Sequence, residues 1–226
     1  MPIIDLLHPP IDLAPLERLI LPDDVGGYAA WQVMVRDGAL VPLCGEAALP
    51  VGVAATQELR AEAIGLVAPP EAQADSRPLV VSSLAAAWIW LGGIAPAEVE
   101  YTFHLGRYRA AETCLAVRAS QFTANDVCRI NGLWVTNPER TIRDLALWCP
   151  FDQAVPLIKG LIAAGASLAI AEAMLERPMR LTNRPAARLV LQTAARPTSA
   201  SLYKRPADAA SCLTVGILFD ELGKVA

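Results

Sequence analysis

The spacing of apolar positions predicts a small sheet in the middle of the chain. Segments with strand-like alternation or short buried apolar runs are residues 79–81, 99–103, 113–118, 127–130 and 134–135. Asn131 and Gly132 separate the last two segments, and this pair is typical of a two-residue hairpin. We therefore expect paired strands here, with the last two joined as a hairpin.

Apolar residues repeated every three to four positions predict helices before and after the strand segments along the chain. Thr56 is a typical capping residue for a helix over 56–66, in which Arg60 and Glu62 are expected to be exposed. Further helices are predicted over residues 138–148, 152–164, 168–176 and 184–195. The fold class that follows is a mixed α/β protein.

A helix is also predicted directly after the strand at 79–81. A hydroxyl of Ser82 or Ser83 is expected to cap it, a role far more common there than nucleophilic catalysis. Trp88 and Trp90 lie two positions apart, so they cannot share a face of this helix. One tryptophan is expected in the core and the other at an interface.

Residues 1–53 predict a reduced winged-helix module. The pattern gives helices over 11–21 and 27–38 and a hairpin of 39–43 and 47–51. Recognition helices depend on basic side chains that contact phosphates, but this one offers Arg36 alone and the hairpin offers no basic residue. We therefore do not expect the module alone to bind operator DNA. Residues 54–226 form the second predicted domain, which contains the proline-rich loop 68–78.

Composition excludes several classes of protein. The chain has 226 residues, of which 54% are hydrophobic, but no apolar run is long enough for a membrane span. It begins without the basic segment of a signal peptide, so a cytoplasmic protein is expected. Five cysteines without a C-x-x-C pair and only two histidines predict neither disulfides nor a metal site.

Catalytic motifs are missing from the sequence. The glycine pairs lack the context of a phosphate-binding loop, and neither histidine has the neighbours of a catalytic triad. We predict no cofactor, no catalytic residue and no enzymatic activity.

Charge is unevenly distributed along the chain. Residues 1–53 carry two basic and seven acidic groups, whereas residues 177–205 carry seven basic groups and no acid. The basic stretch is either a solvated helix face or a surface for an anionic partner. The candidate partner- or nucleic-acid-binding residues are Arg107, Arg109, Arg177, Arg180, Arg184 and Arg188.

The segment 132–146 predicts a well-specified helix entrance. Pro138 suits the first helical position, where its missing N–H costs nothing. Either Asn137 caps this helix, or Thr136 does so in a capping box with Glu139. The helix should bury an apolar face that includes Ile142 and Leu145, and Arg140 should pair with Asp144 four residues on.

Two segments of the chain together resemble the AbiEi family of bacterial antitoxins. The first is Val80-Val-Ser-Ser-Leu-Ala-Ala-Ala87, and the second includes Asp126-Val127 and Gly132-Leu133 before the helix entrance. Ser83 stands where the family usually has histidine, and Trp134 replaces the usual proline. The motif residues with a structural role are Ser82, Gly132, Thr136, Pro138, Arg140 and Asp144.

The resemblance implies a winged-helix module followed by an α/β antitoxin domain with a small sheet and several C-terminal helices. It also implies a function, the neutralisation of a co-expressed nucleotidyltransferase-like toxin, which would be the partner. One alternative is a transcriptional autoregulator that binds operator DNA through the basic stretch 177–205. A second is an enzyme that inactivates the toxin by covalent modification such as phosphorylation.

Overall fold

Seven α-helices and two β-sheets form the described part of this mixed α/β protein. The computed structural model describes residues 18–74, 79–104, 116–177, 181 and 183–196. No helix within these ranges is both long and apolar enough to cross a bilayer. The predicted division at residue 53 stays a prediction.

Among the described residues, the N-terminal part contains the second of the two predicted helices and the predicted hairpin. A 3-10 turn (Pro22–Val25) is followed by α1 (Tyr28–Arg36), β1 (Leu40–Cys44) and the antiparallel β2 (Ala47–Pro50). The predicted helix over 11–21 is wrong at its end, because Ile20 forms a β-bridge with Ala48. Two backbone hydrogen bonds of 2.8 and 3.1 Å hold this bridge. Residues 11–17 lie outside the described ranges.

Helix α2 (Gln57–Val67) begins at its predicted cap, since the Thr56 hydroxyl accepts a hydrogen bond from the Leu59 amide. Glu62 is exposed as predicted, but the expectation for Arg60 is wrong, because this side chain is buried. Its Nε donates to the Ile89 carbonyl at 2.9 Å, and its Nη1 donates to the Ala55 carbonyl. Arg60 therefore ties α2 to the helix beside it.

A five-stranded mixed sheet follows in the order β5-β4-β3-β7-β6. Its strands are β3 (Val80–Val81), β4 (Glu100–His104), β5 (Ala116–Ser120), β6 (Val127–Ile130) and β7 (Leu133–Thr136). The hairpin prediction is confirmed: Asn131 and Gly132 have φ values of 45° and 83°, and positive values at both positions suit a primed turn. Neighbours β4 and β5 run parallel, as do β3 and β7.

Five helices complete the described structure, and all of them were predicted. They are α3 (Ser83–Leu91), α4 (Pro138–Trp148), α5 (Phe151–Ala163), α6 (Leu168–Leu175) and α7 (Arg184–Ala195). Trp88 is the core tryptophan. Trp90 is half-buried against the helical core, and its indole N–H donates to the Thr136 carbonyl at 3.0 Å. Trp90 thus joins α3 to the end of β7.

Candidate functional site

The entrance of α4 is built by residues close in sequence. Oδ1 of Asn137 accepts a hydrogen bond from the Arg140 amide at 2.7 Å, so Asn137 is the cap. Thr136 does not cap, because its hydroxyl lies 2.7 Å from that of Thr141. Glu139 accepts from the Ser167 amide at 3.1 Å, so no capping box forms. Local signals therefore fix where α4 begins.

Arg140 and Asp144 form the predicted pair, and both side chains are buried. Nε of Arg140 donates to the two Asp144 carboxylate oxygens at 2.9 and 3.0 Å. The remaining guanidinium nitrogens donate to the Gln121 carbonyl at 2.9 Å and to the Ser120 hydroxyl at 2.7 Å. The pair thus fastens α4 to the end of β5.

Arg143 is a third buried charge, which the sequence reasoning did not single out. Its Nη1 donates to Oδ1 of Asp144 at 2.8 Å. Burial lowers the pKa of Arg143, while the charge of Asp144 acts in the opposite direction. Asp144 therefore compensates two buried guanidinium groups at once.

Asp126 extends this buried ion network towards the surface. Its Oδ2 accepts hydrogen bonds from Nη1 of Arg177 at 2.7 Å and from the Thr123 amide at 2.9 Å, and lies 3.5 Å from Nη1 of Arg140. Burial acts to raise the pKa of Asp126. The hydrogen bonds from Arg177 and Thr123 and the charges of both arginines outweigh that effect and hold the pKa below its usual value.

The predicted arginines that the structure describes lie at the α6–α7 junction. Nη2 of Arg184 donates to the Arg177 carbonyl at 2.9 Å. Arg188 is exposed and forms a two-pronged pair with Glu176, with distances of 2.7 and 2.6 Å. We call Arg177, Arg184 and Arg188 the arginine surface. Arg107, Arg109 and Arg180 lie outside the described residues.

Two acids from outside the basic stretch 177–205 neutralise part of its charge in the folded structure. Glu176 directly precedes the acid-free window, and Asp126 comes from a distant part of the chain. Both carboxylates form ion pairs with arginines of the window 177–205, which contains no acid of its own. Whether the arginine surface binds a partner stays a prediction.

The helix after β3 does not begin as predicted. Ser82 and Ser83 are fully buried, and neither hydroxyl caps α3. Instead Oε2 of Glu100 accepts from the Leu84 amide at 3.2 Å, which a cross-strand carboxylate can do because β4 pairs with β3. The Ser82 hydroxyl accepts from Thr102 at 2.9 Å, so its role is structural.

The described residues do not form a metal-binding cluster. They contain no group of three His, Cys, Asp or Glu side chains that could hold a metal ion. On α1, the basic side chain of Arg36 pairs with Asp37 at 3.0 Å, while Tyr28 and Val33 are exposed. The solvent-facing side of α1 thus has a mixed, weakly charged character.

These features define a mixed α/β protein with a buried ion network beneath an arginine surface. No model of a known protein family matches the sequence, and no curated protein does. Among solved structures, the chain is similar to the RV2827C protein from Mycobacterium tuberculosis, with 17% sequence identity and a TM-score of 0.41. The similarity covers 85% of this chain and 78% of that chain, and at this level it says nothing of function.

Proposed function

We propose that this protein is a cytoplasmic bacterial antitoxin of the AbiEi type, which neutralises a co-expressed nucleotidyltransferase-like toxin through its arginine surface. The proposal requires no catalytic group of this chain. It rests on the resemblance of the two sequence segments and on the way these segments lie together in the fold.

The observation that carries the proposal is the pairing of the two motif halves. Val81 on β3 lies opposite Val135 on the parallel strand β7, and each strand leads directly into a helix, α3 or α4. Segments that are far apart in sequence therefore form two adjacent strand–helix units. Such an arrangement gives the ordered motif a common structural role and supports reading it as a family signature.

The ion network also connects the motif to the proposed binding surface. Arg140 of the motif meets Asp126, and Asp126 holds Arg177, whose side chain is 38% exposed. A guanidinium group offers several N–H donors in a planar fork that matches carboxylates and phosphates. The arginine surface therefore suits an acidic protein face, or the phosphates that such a toxin uses.

Co-expression with the product of the adjacent gene tests the proposal. We expect the wild-type protein to restore growth and to co-purify with that product. Replacing Arg184 and Arg188 together by Glu should abolish rescue and leave the circular dichroism spectrum unchanged. The matched control is Arg36→Glu, because Arg36, like Arg188, is exposed and paired with an acid.

Each result has a distinct meaning. Full rescue by the double variant would remove the arginine surface from the mechanism. Rescue without co-purification would favour covalent modification of the toxin, which intact mass measurement of the toxin can detect. If no toxicity is found but the protein shifts its own promoter with a steep salt dependence, the autoregulator is the better account.

A further inference from the structure

A groove of about 350 Å³ opens between the β1–β2 turn, the 3-10 turn Pro22–Val25 and the end of α2. Its apolar walls include Leu21, Pro22, Leu66 and Val67. Leu66 and Val67 are 53% and 50% exposed, which is high for aliphatic side chains that follow each other at a helix end. The groove thus leaves apolar surface uncovered within the described residues.

The walls of the groove are fixed by close packing. A methyl group placed on Gly45 would lie 2.9 Å from Cγ1 of Val67, so the backbone of the β1–β2 turn rests directly on α2. Cys44 and Leu43, just before that turn, pack against the hydrophobic clusters on either side of α2. The concavity is therefore part of the fold.

The rim of the groove is acidic. Asp23 and Glu46 line it, both are exposed, and neither has an ion-pair partner among the residues that the structure describes. Other acids of the same module are neutralised, since Asp24 pairs with Arg18 at 3.2 Å and Asp37 pairs with a neighbouring arginine. Two carboxylates at an apolar groove favour a cationic partner and repel phosphates.

We propose that this groove binds a basic segment of the toxin, in which an apolar side chain is flanked by lysine or arginine. This inference rests on the proposed function. The apolar side chain would contact Leu66 and Val67, while the flanking cations would meet Asp23 and Glu46. Charge complementarity selects this occupant, because an acidic segment or a nucleic acid would place like charges against the rim. The antitoxin then contacts its partner through two surfaces of opposite sign.

The test measures the dissociation constant between the full-length protein and the purified product of the adjacent gene. Leu66→Ser should weaken binding about tenfold or more, because it removes the larger of the two exposed aliphatic side chains in the groove. Glu46→Gln should lower the association rate and reduce its dependence on salt. The matched controls are Ile94→Ser and Glu98→Gln, two exposed positions in the loop after α3, and both should bind as wild type.

Alkylation of Cys44 gives a second readout, because this thiol lies in the groove wall. Peptide mass analysis should show slower modification of Cys44 when the partner is bound, with Cys128 on β6 unchanged. Unaltered Cys44 reactivity, or wild-type affinity in both groove variants, would overturn the inference. If growth rescue and complex formation still depend on Arg184 and Arg188 in that case, the proposed function stands without the groove. If the wild-type protein neither restores growth nor forms a complex, both the groove inference and the proposed function are overturned.

Discussion

Replacing Asp144 by Asn should destabilise the protein strongly, although the two side chains have nearly the same size. The carboxylate is fully buried and accepts hydrogen bonds from Arg140 and Arg143, which are each only 1% exposed. An amide removes the negative charge and turns one acceptor into a donor that faces a donor. Both buried guanidinium groups would then lose their shared carboxylate partner, and the next carboxylate, Asp126, lies 3.5 Å from Arg140.

The magnitude follows from what the substitution leaves behind. Removing one partner of a buried ion pair costs about 3–5 kcal/mol, because the other charge stays buried without compensation. Natural domains have free energies of unfolding of about 5–15 kcal/mol, so this is a large share of the total. For a chain of this length the melting temperature should fall by roughly 6–20 °C.

Urea denaturation followed by tryptophan fluorescence measures this change in the free energy of unfolding. The control is Glu176→Gln, which breaks the exposed pair with Arg188 and should leave the midpoint almost unchanged. Adding Arg143→Met to the Asp144→Asn variant removes one of the two buried cations that Asp144 balances in the wild type. The double variant should therefore be more stable than Asp144→Asn alone.

Two results would refute this reasoning about the buried charges. One is an Asp144→Asn variant whose free energy of unfolding stays within about 1 kcal/mol of wild type, against the cost expected for a broken buried pair. The other is a double variant that is less stable than the single one, because charge balance would then not be what Asp144 provides.

Three other perturbations test single contacts. Asn137→Ala should lower the free energy of unfolding by about 1 kcal/mol through loss of the α4 cap, as measured by urea denaturation. Gly45→Ala should cost more, about 2 kcal/mol or above, because φ is +56° and the new methyl group meets Val67; a variant as stable as wild type would contradict the packing described for this turn. Arg177→Gln should make acid unfolding begin at higher pH. The lowered pKa of Asp126 stabilises the fold above about pH 4 and this contribution is lost as the pH falls through the folded-state value, which the substitution raises.

Local signals explain what the sequence could predict. The cap at Asn137, the hairpin at Asn131-Gly132 and the pairing of Arg140 with Asp144 all depend on residues within five positions of each other. The physical rules for capping, turns and helix neighbours act over that distance. The start and much of the chemistry of α4 were therefore accessible without a structure.

Long-range contacts explain what the sequence missed. The cap of α3 comes from Glu100 on a neighbouring strand, and the burial of Arg60 depends on a carbonyl in a helix that follows much later. Likewise Asp126, the ion-pair partner of Arg177, is 51 residues away along the chain. No periodicity within a segment contains such information, so charge counts in a window overstate the free charge of the folded surface.

The same contact between Asp126 and Arg177 bears on how the surface and the interior are coupled. Oδ2 of Asp126 accepts from Arg177 and lies near Arg140, so the two arginines share one carboxylate oxygen. A partner carboxylate or phosphate that draws Arg177 outward would leave more of that carboxylate to Arg140, the motif residue beneath it. Binding at the arginine surface would then change the ionic contacts of Arg140 and, through them, the stability of α4. Hydrogen exchange of the α4 amides, compared between the free protein and its complex with the proposed toxin, should change in wild type and stay constant in Arg177→Gln.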